Sequence, residues 1–448
     1  MRPNPLEMQA IVNGTVLTMD DRWTSYDCGM VIVAGTTIRE VGPFDQVRLD
    51  QLGIPKEHII DADGGIIIPG FVNTHTHIGM SLFRGIADDT ANRLKRVIFP
   101  LERKFTTPEV VYTASLHSLT EMILGGTTCF ADMYYFATQT ARAVQESGIR
   151  GVIGQSVATY GGPDAPDFPT SIELVHRLDN LLKGNDRVMA AIAPHAPYSL
   201  TKQELLQCAE IHSDRDIRIL SHLAEMPFEE SYTDEHYHMR PIPFYRQCNL
   251  LGSRTTMAHC IFADGNDQRL LVETGTGIAH NPSANSKSGK GIAPAYDLIT
   301  KGARLGLGTD GPMSGNTMDM VHILDITAKF QKVLKKDPTI MTPRDVLRAA
   351  TRGGAEALHL EKSIGTLERG KLADIVIVST DSPAMFPLYD PYAAIVYAAS
   401  PADIAMTMVD GKQLMYRRKL HTLDPQAIRI QAADMVSHIR HDMHEFLQ

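Results

Sequence analysis

The chain has 448 residues, 43% hydrophobic and 21% charged, which is an ordinary composition for a soluble globular protein. A formal net charge of −9, with no basic run, argues against nucleic acid or an anionic membrane surface as a partner. Five scattered cysteines without a CxxC pair indicate free thiols in a reducing compartment. The N-terminus lacks the apolar core of a secretory signal, and no stretch approaches the ~20 apolar residues that span a bilayer. We therefore expect a cytoplasmic protein.

The first part of the chain, up to residue 65, consists of short β-like runs such as AIVNGTVLTM and GMVIVAGTTIREVG. Asn13-Gly14 is typical of a hairpin turn between two such runs. A pattern of this kind predicts a small β structure that comes before the main domain. We assign residues 1–65 to it.

Between residues 66 and 364, apolar runs of strand length alternate with helical patterns. The eight runs are IIIPGFVNTHTH, GTTCFADMY, RGVIGQSVA, RVMAAIAPHAPY, RILSHLAE, TTMAHC, TGIAHNP and RLGLGTDG. A helix is predicted over 108–124, because Pro108 suits a first turn and Gly125-Gly126 stops the apolar period. Eight βα units predict an α/β fold, a (β/α)₈ TIM barrel. A doubly wound open sheet is the alternative, but the Gly-rich phosphate turn that usually follows its first strand is missing from the sequence.

After residue 364 the β-like pattern returns, in GTLERGKLADIVIVS and IAMTMVDGKQLMYRRKL. We predict that residues 365–448 complete a β-sandwich with residues 1–65, so that both termini form one small domain beside the barrel. A helix is expected over 425–448. Its apolar side is predicted to carry Ile428, Ile430, Met435 and Ile439.

Polar side chains stand where the barrel strands end, which is the edge that carries the active site in this fold. They are His75, His77, Asp132, His195, His222, Glu225, His259, His280 and Asp310.

The pair His75 and His77 is the first sign of a metal site. Residues i and i+2 of a strand face the same side, so both imidazoles can reach one cation. His222 ends the fifth strand and Asp310 follows the eighth. Nitrogen and oxygen donors of this kind suit Zn²⁺, and Fe²⁺ or Mn²⁺ are less favoured alternatives. The other interpretation, in which each histidine is a hydrogen-bonded core residue, does not explain why all of them stand at strand ends.

The segments PGFVNTHTH, HLAE, AHC, HNPSANSKSGKGIAP and GLGTDG together resemble the amidohydrolase superfamily. They are most similar to its methylthioadenosine/S-adenosylhomocysteine deaminase branch, which is close to the triazine chlorohydrolases. The resemblance runs from VNGTVLTM to VDGKQL and implies that His75, His77, His222 and Asp310 bind one metal ion per subunit. Binuclear relatives carry a bridging carboxylated lysine after the fourth strand. This chain has IAPHAPYS there, which favours a mononuclear site.

Three residues are expected to carry proton transfer. A bound Zn²⁺ lowers the pKa of its water to about 7, and Asp310 can accept a proton from that water. His259 can exchange a hydrogen bond with the attacking oxygen. Glu225 resembles the non-ligand glutamate with which deaminases move protons to the ring and to the leaving ammonia. The alternative for Glu225 is a cap on the next helix or an ion pair.

Substrate contacts are implied by the same resemblance for Glu225, His195 and Glu102. Glu102 resembles the acceptor of the ribose hydroxyls, and its alternative is a solvated helix face. The alternative for His195 is a structural histidine. Gln155 stands where we align an arginine that grips the carboxylate of S-adenosylhomocysteine, and Arg150 belongs to the other end of its strand. We therefore expect a neutral 5′-substituted adenosine to be the better substrate.

The predicted function is a zinc-dependent aminohydrolase, a hydrolase that acts on the C–N bond of a cyclic amidine. It would convert 5′-methylthioadenosine, adenosine or, less well, S-adenosylhomocysteine to the inosine analogue and ammonia. One alternative is a deaminase or chlorohydrolase of another amino-heterocycle, such as an s-triazine, a pterin or a guanine-like base. A non-catalytic binding protein on the same fold is the other. We expect a small-molecule substrate, no nucleic-acid or membrane partner, and a homo-oligomer by analogy with such barrels.

Overall fold

The structure is a computed structural model that describes residues 8–443. Its strands are β1 (Met8–Leu17), β2 (Ser25–Ala34), β3 (Thr37–Pro43), β4 (Ile59–Asp61), β5 (Ile66–Pro69), β6 (Phe71–Thr76), β7 (Thr127–Tyr134), β8 (Arg150–Val157), β9 (Val188–Pro194), β10 (Arg218–Leu223), β11 (Thr255–His259), β12 (Gly277–His280), β13 (Arg304–Leu307), β14 (Ile375–Val378), β15 (Ile404–Val409), β16 (Lys412–Tyr416) and β17 (Lys419–Leu420).

The α-helices are α1 (Gln46–Leu52), α2 (Phe99–Phe105), α3 (Pro108–Leu124), α4 (Ala137–Ser147), α5 (Phe168–Leu182), α6 (Lys202–Arg215), α7 (Pro227–Tyr237), α8 (Pro241–Gln247), α9 (Gly265–Thr274), α10 (Pro282–Lys287), α11 (Ala295–Thr300), α12 (Met320–Lys335), α13 (Pro343–Ala350), α14 (Arg352–Ala357), α15 (Pro391–Tyr397) and α16 (Pro425–Met443).

Eight strands, β6 to β13, form a closed barrel in chain order, and every neighbouring pair is parallel. All eight lie within the apolar runs from which they were predicted, so the TIM barrel is confirmed. Helix α14 closes the amino end of the barrel, where the Thr256 hydroxyl donates to the carbonyl of Ala357 at 2.8 Å. The carboxyl ends of the strands are therefore left to form the site.

Both termini contribute to a separate mixed sheet with the strand order β17-β16-β15-β14-β5-β1-β2-β3, and β4 pairs with β1. The sheet has a hydrophobic core of its own, in which Ile11 and Val31 pack with Ile375 and Met406. Strand β5 pairs with β1 and β14, whereas β6 begins the barrel at Phe71. The domain boundaries at residues 65 and 364 stay a prediction.

The barrel and the terminal sheet are joined by a buried ion-pair cluster. Arg150, the first residue of β8, donates from Nε to Asp374 at 2.9 Å and also pairs with Asp410. Asp374 and Asp410 belong to the C-terminal part of the sheet. Arg150 therefore lies at the amino end of the barrel, as the sequence indicated, and is not a substrate ligand.

The ends of helix α3 follow the predicted signals. The Thr107 side chain accepts from the amide of Val110 at 3.3 Å, Pro108 occupies the first turn and Gly125 follows the last residue. A side-chain cap of this kind typically contributes about 1 kcal/mol to helix stability. The local sequence thus fixes the helix that follows the first active-site loop.

Helix α16 packs against α3, and the face that it buries differs from the predicted one at a single residue, Ile430. Ile428 and Ile439 are buried as expected, but Ile430 is 68% exposed and that prediction is wrong. Two residues correspond to about 200° around a helix, which turns Ile430 away from Ile428. Ala432 is buried in its place. The predicted end of the helix, residues 444–448, lies outside the described residues.

A search of residues 8–443 finds no helix with both the length and the apolar character needed to cross a membrane.

Candidate metal centre and active site

Four imidazole rings meet at the mouth of the barrel. The ring centre of His75 lies 4.8 Å from that of His77, 5.0 Å from that of His222 and 5.4 Å from that of His259. The Asp310 carboxylate joins them, with Oδ1 at 3.6 Å from His75 Nε2 and 3.3 Å from His77 Nε2. The structure thus brings together residues from four different strand ends.

The hydrogen bonds of two of these histidines fix where their protons lie. Nδ1 of His77 is 2.6 Å from the carbonyl oxygen of Met133, and Nδ1 of His222 is 2.8 Å from that of His195. A carbonyl only accepts, so each Nδ1 carries the proton and each neutral ring presents a bare lone pair at Nε2. These two Nε2 atoms face each other at 3.2 Å. Two lone pairs at that distance repel each other, and either a metal cation or a proton on one ring relieves this repulsion.

His75 and Asp310 complete a set of donors that suits a metal ion. Nε2 of His75 is buried and has no hydrogen-bond partner among the described residues. Ligand atoms of His75, His77 and His222 lie within 4.8 Å of one another, and so do those of His75, His259 and Asp310. Neutral imidazole nitrogens with their other nitrogen on a carbonyl, plus one carboxylate, are typical of zinc ligands. The residues present fit a divalent metal ion.

The backbone around Asp310 is shaped to aim its carboxylate. Asp310 has φ of +62°, a left-handed conformation that is uncommon for residues other than glycine. Its amide donates to the carbonyl of His75 at 3.0 Å, which ties the end of β13 to the end of β6. A Cβ on Gly308 would lie 2.3 Å from Asn281 Oδ1 and 3.0 Å from the His75 amide. Only glycine allows this close approach.

The electrostatics of the cluster favour bound positive charge. Burial lowers the pKa of His75 to about 4, which keeps that ring neutral. Burial would also lower the pKa of His77, but its contact with the Asp310 carboxylate outweighs this and raises the pKa to about 9. The histidine contacts in turn hold the pKa of Asp310 well below its usual range in spite of burial. A divalent cation bound here would compensate the negative charge of Asp310, as a proton on His77 does.

Glu225 lies beside this cluster, at the end of β10. Its Oε1 is 3.5 Å from His259 Nε2 and forms an ion pair with Lys290. Burial would raise the pKa of Glu225, but His259 and Lys290 lower it to about 2. The residue that caps the next helix is not Glu225 but Glu229. Its Oε1 accepts from the amides of Glu225 and Met226 at 3.0 and 2.9 Å.

His259 is the last residue of β11 and is held from its far side. Its Nδ1 is 2.8 Å from Asn285 Oδ1 and 3.3 Å from Asn281 Nδ2. With Nδ1 in contact with these two asparagine side chains, Nε2 is the ring nitrogen that faces Glu225. His259 also has a left-handed backbone, with φ of +76°.

His195 directly follows β9 and lies against the cluster of four histidines and Asp310. Its ring centre is 4.8 Å from that of His222, and its Nδ1 is 2.9 Å from the Ser199 hydroxyl. Burial and the neighbouring His77 lower the pKa of His195 to about 4, so the ring is neutral and can accept or donate one hydrogen bond at Nε2.

Glu102 lies on helix α2 with its side chain buried, so the solvated helix face is excluded. Burial raises its pKa to about 7, although Tyr134 and His77 lower it in part. A buried carboxylate of this kind is a strong hydrogen-bond acceptor when ionised, and no ion pair to it is present in the described part of the chain.

One cavity of about 990 Å³ connects these groups. Its walls include Glu102, His195, His222, Glu225, His259 and Asp310. A side chamber of about 240 Å³ opens beside Glu102, between the rings of Phe99, Tyr135 and Tyr160, with Lys95 and Arg103 also on its wall. The cavity has the size of a small-molecule site, and the carboxylates of Glu102, Glu225 and Asp310 line it.

Residues 66–414 match the Amidohydrolase family. This chain belongs to that family. It is 35% identical over 416 residues to the 5-methylthioadenosine/S-adenosylhomocysteine deaminase of Syntrophobacter fumaroxidans, covering 92% of this chain and 94% of that one.

Two solved structures are similar to this amidohydrolase over nearly its full length. An adenosine deaminase from Xanthomonas campestris with bound zinc is 28% identical, with a TM-score of 0.94 over 98% of this chain and 99% of that one. An atrazine chlorohydrolase from Arthrobacter aurescens complexed with zinc is 23% identical, with a TM-score of 0.87 over 95% and 99% of the two chains. The second likeness concerns the fold alone.

Two polar residues at strand ends of this amidohydrolase do not join the cluster of four histidines and Asp310. Asp132 accepts from the amide of Ile78 at 2.6 Å and the hydroxyl of Thr76 at 2.8 Å, so it shapes the loop after β6. His280, the last residue of β12, is fully buried, and neither ring nitrogen has a partner in the described part of the chain. The fold sets both apart from the shared centre.

Sequence reasoning assigned no role to two residues that contact the proposed proton-transfer groups of this amidohydrolase. They are Asn285, which holds His259, and Lys290, which pairs with Glu225. Both lie in the segment HNPSANSKSGKGIAP, which was recognised as a family motif. The motif marked the segment, but it did not say which side chains turn into the cavity.

Proposed function

We propose that this amidohydrolase is a zinc-dependent deaminase of adenosine-type nucleosides. Water replaces the exocyclic amino group of the purine, which gives the inosine analogue and ammonia. The observation that supports this most is the cluster of potential metal ligands around His75, with the ionised Glu225 in contact with His259 at its edge. The deaminase names of the relatives agree with it.

His75, His77, His222 and Asp310 would hold the metal ion. We propose Zn²⁺ for this donor set, with Fe²⁺ or Mn²⁺ as alternatives. Bound there, it supplies Lewis acidity and a water of lowered pKa. His259 is not one of these four residues, so it can serve the attacking oxygen by hydrogen bonding.

Glu225 would move the protons of the reaction. Its carboxylate is ionised and faces the cavity, so it can take a proton from the attacking water and give it to a ring nitrogen. A second transfer through Glu225 would protonate the amino group as the C–N bond breaks, and ammonia leaves. The two protons of the attacking water are then accounted for, because one stays on the ring nitrogen and the other leaves with ammonia. Asp310 can hold the second proton before it passes to the amino group.

Glu102 and His195 would bind the substrate. Glu102 lines the same cavity as the metal-binding side chains, and a buried carboxylate can accept from two vicinal ribose hydroxyls. His195 would contact the purine through Nε2. The cavity of about 990 Å³ leaves room for a 5′ substituent in addition to the nucleoside.

A neutral 5′ substituent remains our preference over the amino-acid tail of S-adenosylhomocysteine. Gln155 is buried and its amide nitrogen donates to Asp164 at 2.9 Å, so it offers no cation to a carboxylate. The side chamber is lined by rings that suit a thioether, but Lys95 and Arg103 also reach its wall. S-adenosylhomocysteine therefore stays in the panel of substrates to be tested.

The cytoplasmic location and the homo-oligomer were predicted from the sequence, and both remain predictions. The first follows from the cysteine pattern and the second from analogy alone.

The test is an ammonia-release screen of the zinc-loaded protein. The panel contains adenosine, 5′-methylthioadenosine, S-adenosylhomocysteine, a pterin, guanine and an s-triazine, and it separates the proposed function from the other amino-heterocycles. We expect the two neutral nucleosides to be fastest. Turnover of the pterin, the guanine or the triazine, with none of the nucleosides, would refute the proposal.

A further inference from the structure

Lys290 occupies an unusual place in the cavity wall. It stands between Gly289 and Gly291, which have φ of +63° and +123°, and its amide donates to the carbonyl of Asn285 at 3.0 Å. This tight turn directs the side chain inward, so that only 20% of it is exposed. A lysine that gives up most of its hydration needs a compensating partner.

That partner is Glu225. The Lys290 ammonium forms an ion pair with Glu225 Oε1, across 65 residues of sequence. Among the described residues, the charged contacts of the Glu225 carboxylate are this lysine and His259. Glu229 holds only the backbone of Glu225, through its amide. Lys290 is thus the group that fixes the direction of the carboxylate itself.

The same short segment also fixes His259. Asn285, in helix α10, binds His259 Nδ1 at 2.8 Å, and Lys290 follows five residues later. Residues 285–290 therefore contact both His259 and Glu225, whose Nε2 and Oε1 atoms are in turn in contact with each other. A segment with two such contacts can keep the distance between these groups constant during turnover.

We infer that Lys290 is a positioning residue for Glu225, and that its ammonium keeps the carboxylate turned toward His259 and the metal-binding side chains. This inference rests on the proposed function, because it gives the proton-shuttle glutamate a fixed orientation. Without the lysine, the carboxylate can rotate about its own side-chain bonds, and fewer encounters with substrate have the geometry for proton transfer.

The kinetic test replaces Lys290 by methionine, which keeps most of the length and removes the charge. We expect Lys290→Met to lower kcat about 10- to 100-fold, as for a misplaced catalytic group, with little change in KM and in bound metal. Lys290→Arg should recover much of this loss. The matched control is Lys329→Met, which breaks an exposed ion pair with Asp325 on helix α12 and should leave kcat unchanged.

A double variant separates positioning from substrate binding. If Lys290 acts only through the Glu225 carboxylate, removing that carboxylate already removes the effect of Lys290 on kcat. The double variant Glu225→Gln/Lys290→Met should therefore have a kcat no lower than that of Glu225→Gln alone. Additive losses, a change in KM alone, or a Lys290→Met enzyme with wild-type kcat would each overturn the inference.

A chemical test needs no activity. A water-soluble carbodiimide joins an amine and a carboxylate in contact, with loss of water, and peptide mass spectrometry locates the bond. We expect a bond between Lys290 and Glu225 in the zinc-loaded protein. Lys287 and Asp88, 2.7 Å apart near the same cavity, provide the control pair. Bonding of the control pair without the Lys290 pair would contradict the inference, even in a protein that fails to deaminate nucleosides.

Discussion

Replacement of Glu102 by glutamine tests how the cavity recognises a ribosylated substrate. Glutamine has the same size and keeps one acceptor oxygen, but it has no charge. Because the side chain is buried and its carboxylate forms no ion pair within residues 8–443, its charge can act directly on the substrate. Glu102→Gln should therefore reduce kcat/KM for adenosine and leave the metal ligands intact.

The size of the effect follows from the two hydroxyls that one carboxylate can accept. A hydrogen bond to a charged group contributes about 1.5–3 kcal/mol and a neutral one about 0.5–1.5 kcal/mol. Losing the charge at two bonds costs about 2–3 kcal/mol, which corresponds to about 30- to 150-fold in kcat/KM. The pKa of about 7 adds a pH dependence. The wild-type kcat/KM for adenosine should rise as pH passes 7, because Glu102 ionises there, and the variant should lack this rise.

The assay compares adenosine with 2′,3′-dideoxyadenosine in both enzymes. The wild type should prefer adenosine strongly, and in Glu102→Gln most of that preference should disappear while the rate on the dideoxy substrate is retained. Glu109→Gln, at an exposed glutamate in the first turn of α3, is the matched control. An equal loss on both substrates would refute ribose recognition by Glu102 and favour a free heterocycle as substrate.

Three further changes address the other parts of the account. Glu225→Gln should retain bound zinc and lose about 10²- to 10⁴-fold in kcat, the usual cost of a lost acid–base group; a near-wild-type rate would refute the proton shuttle. His75→Ala should lose both metal and activity, measured by elemental analysis and ammonia release, and an active metal-bound variant would exclude His75 as a ligand. Arg150→Met should leave Asp374 as a buried unpaired carboxylate and lower stability by about 3–5 kcal/mol, seen as a lower urea midpoint. An unchanged midpoint would show that the cluster contributes no stability.

The sequence predicted those features that depend on local patterns. The eight apolar runs became the eight barrel strands, and the Pro108 and Gly125 signals matched the ends of helix α3. The histidines could be placed at strand ends because each strand carried its own boundary signals, and parallel strands in a barrel bring those ends together.

Features that depend on contacts between distant residues could not be predicted in the same way. Strand β5 adjoins β6 in sequence, yet its partners β1 and β14 come from the two termini. The contact between Lys290 and Glu225 depends on how one loop turns over another, and no periodicity records that. Ile430 was wrongly predicted to be buried, because it was assigned by its hydrophobicity and not by its angle around helix α16.

The central claim is that His75, His77, His222 and Asp310 bind one divalent ion together. The most direct measurement is a crystal structure of the zinc-loaded protein with anomalous data at the zinc edge. We predict one peak per chain, at about 2.0–2.2 Å from the three Nε2 atoms and one Asp310 oxygen. Two peaks per chain, or a single peak bound elsewhere, would contradict the account.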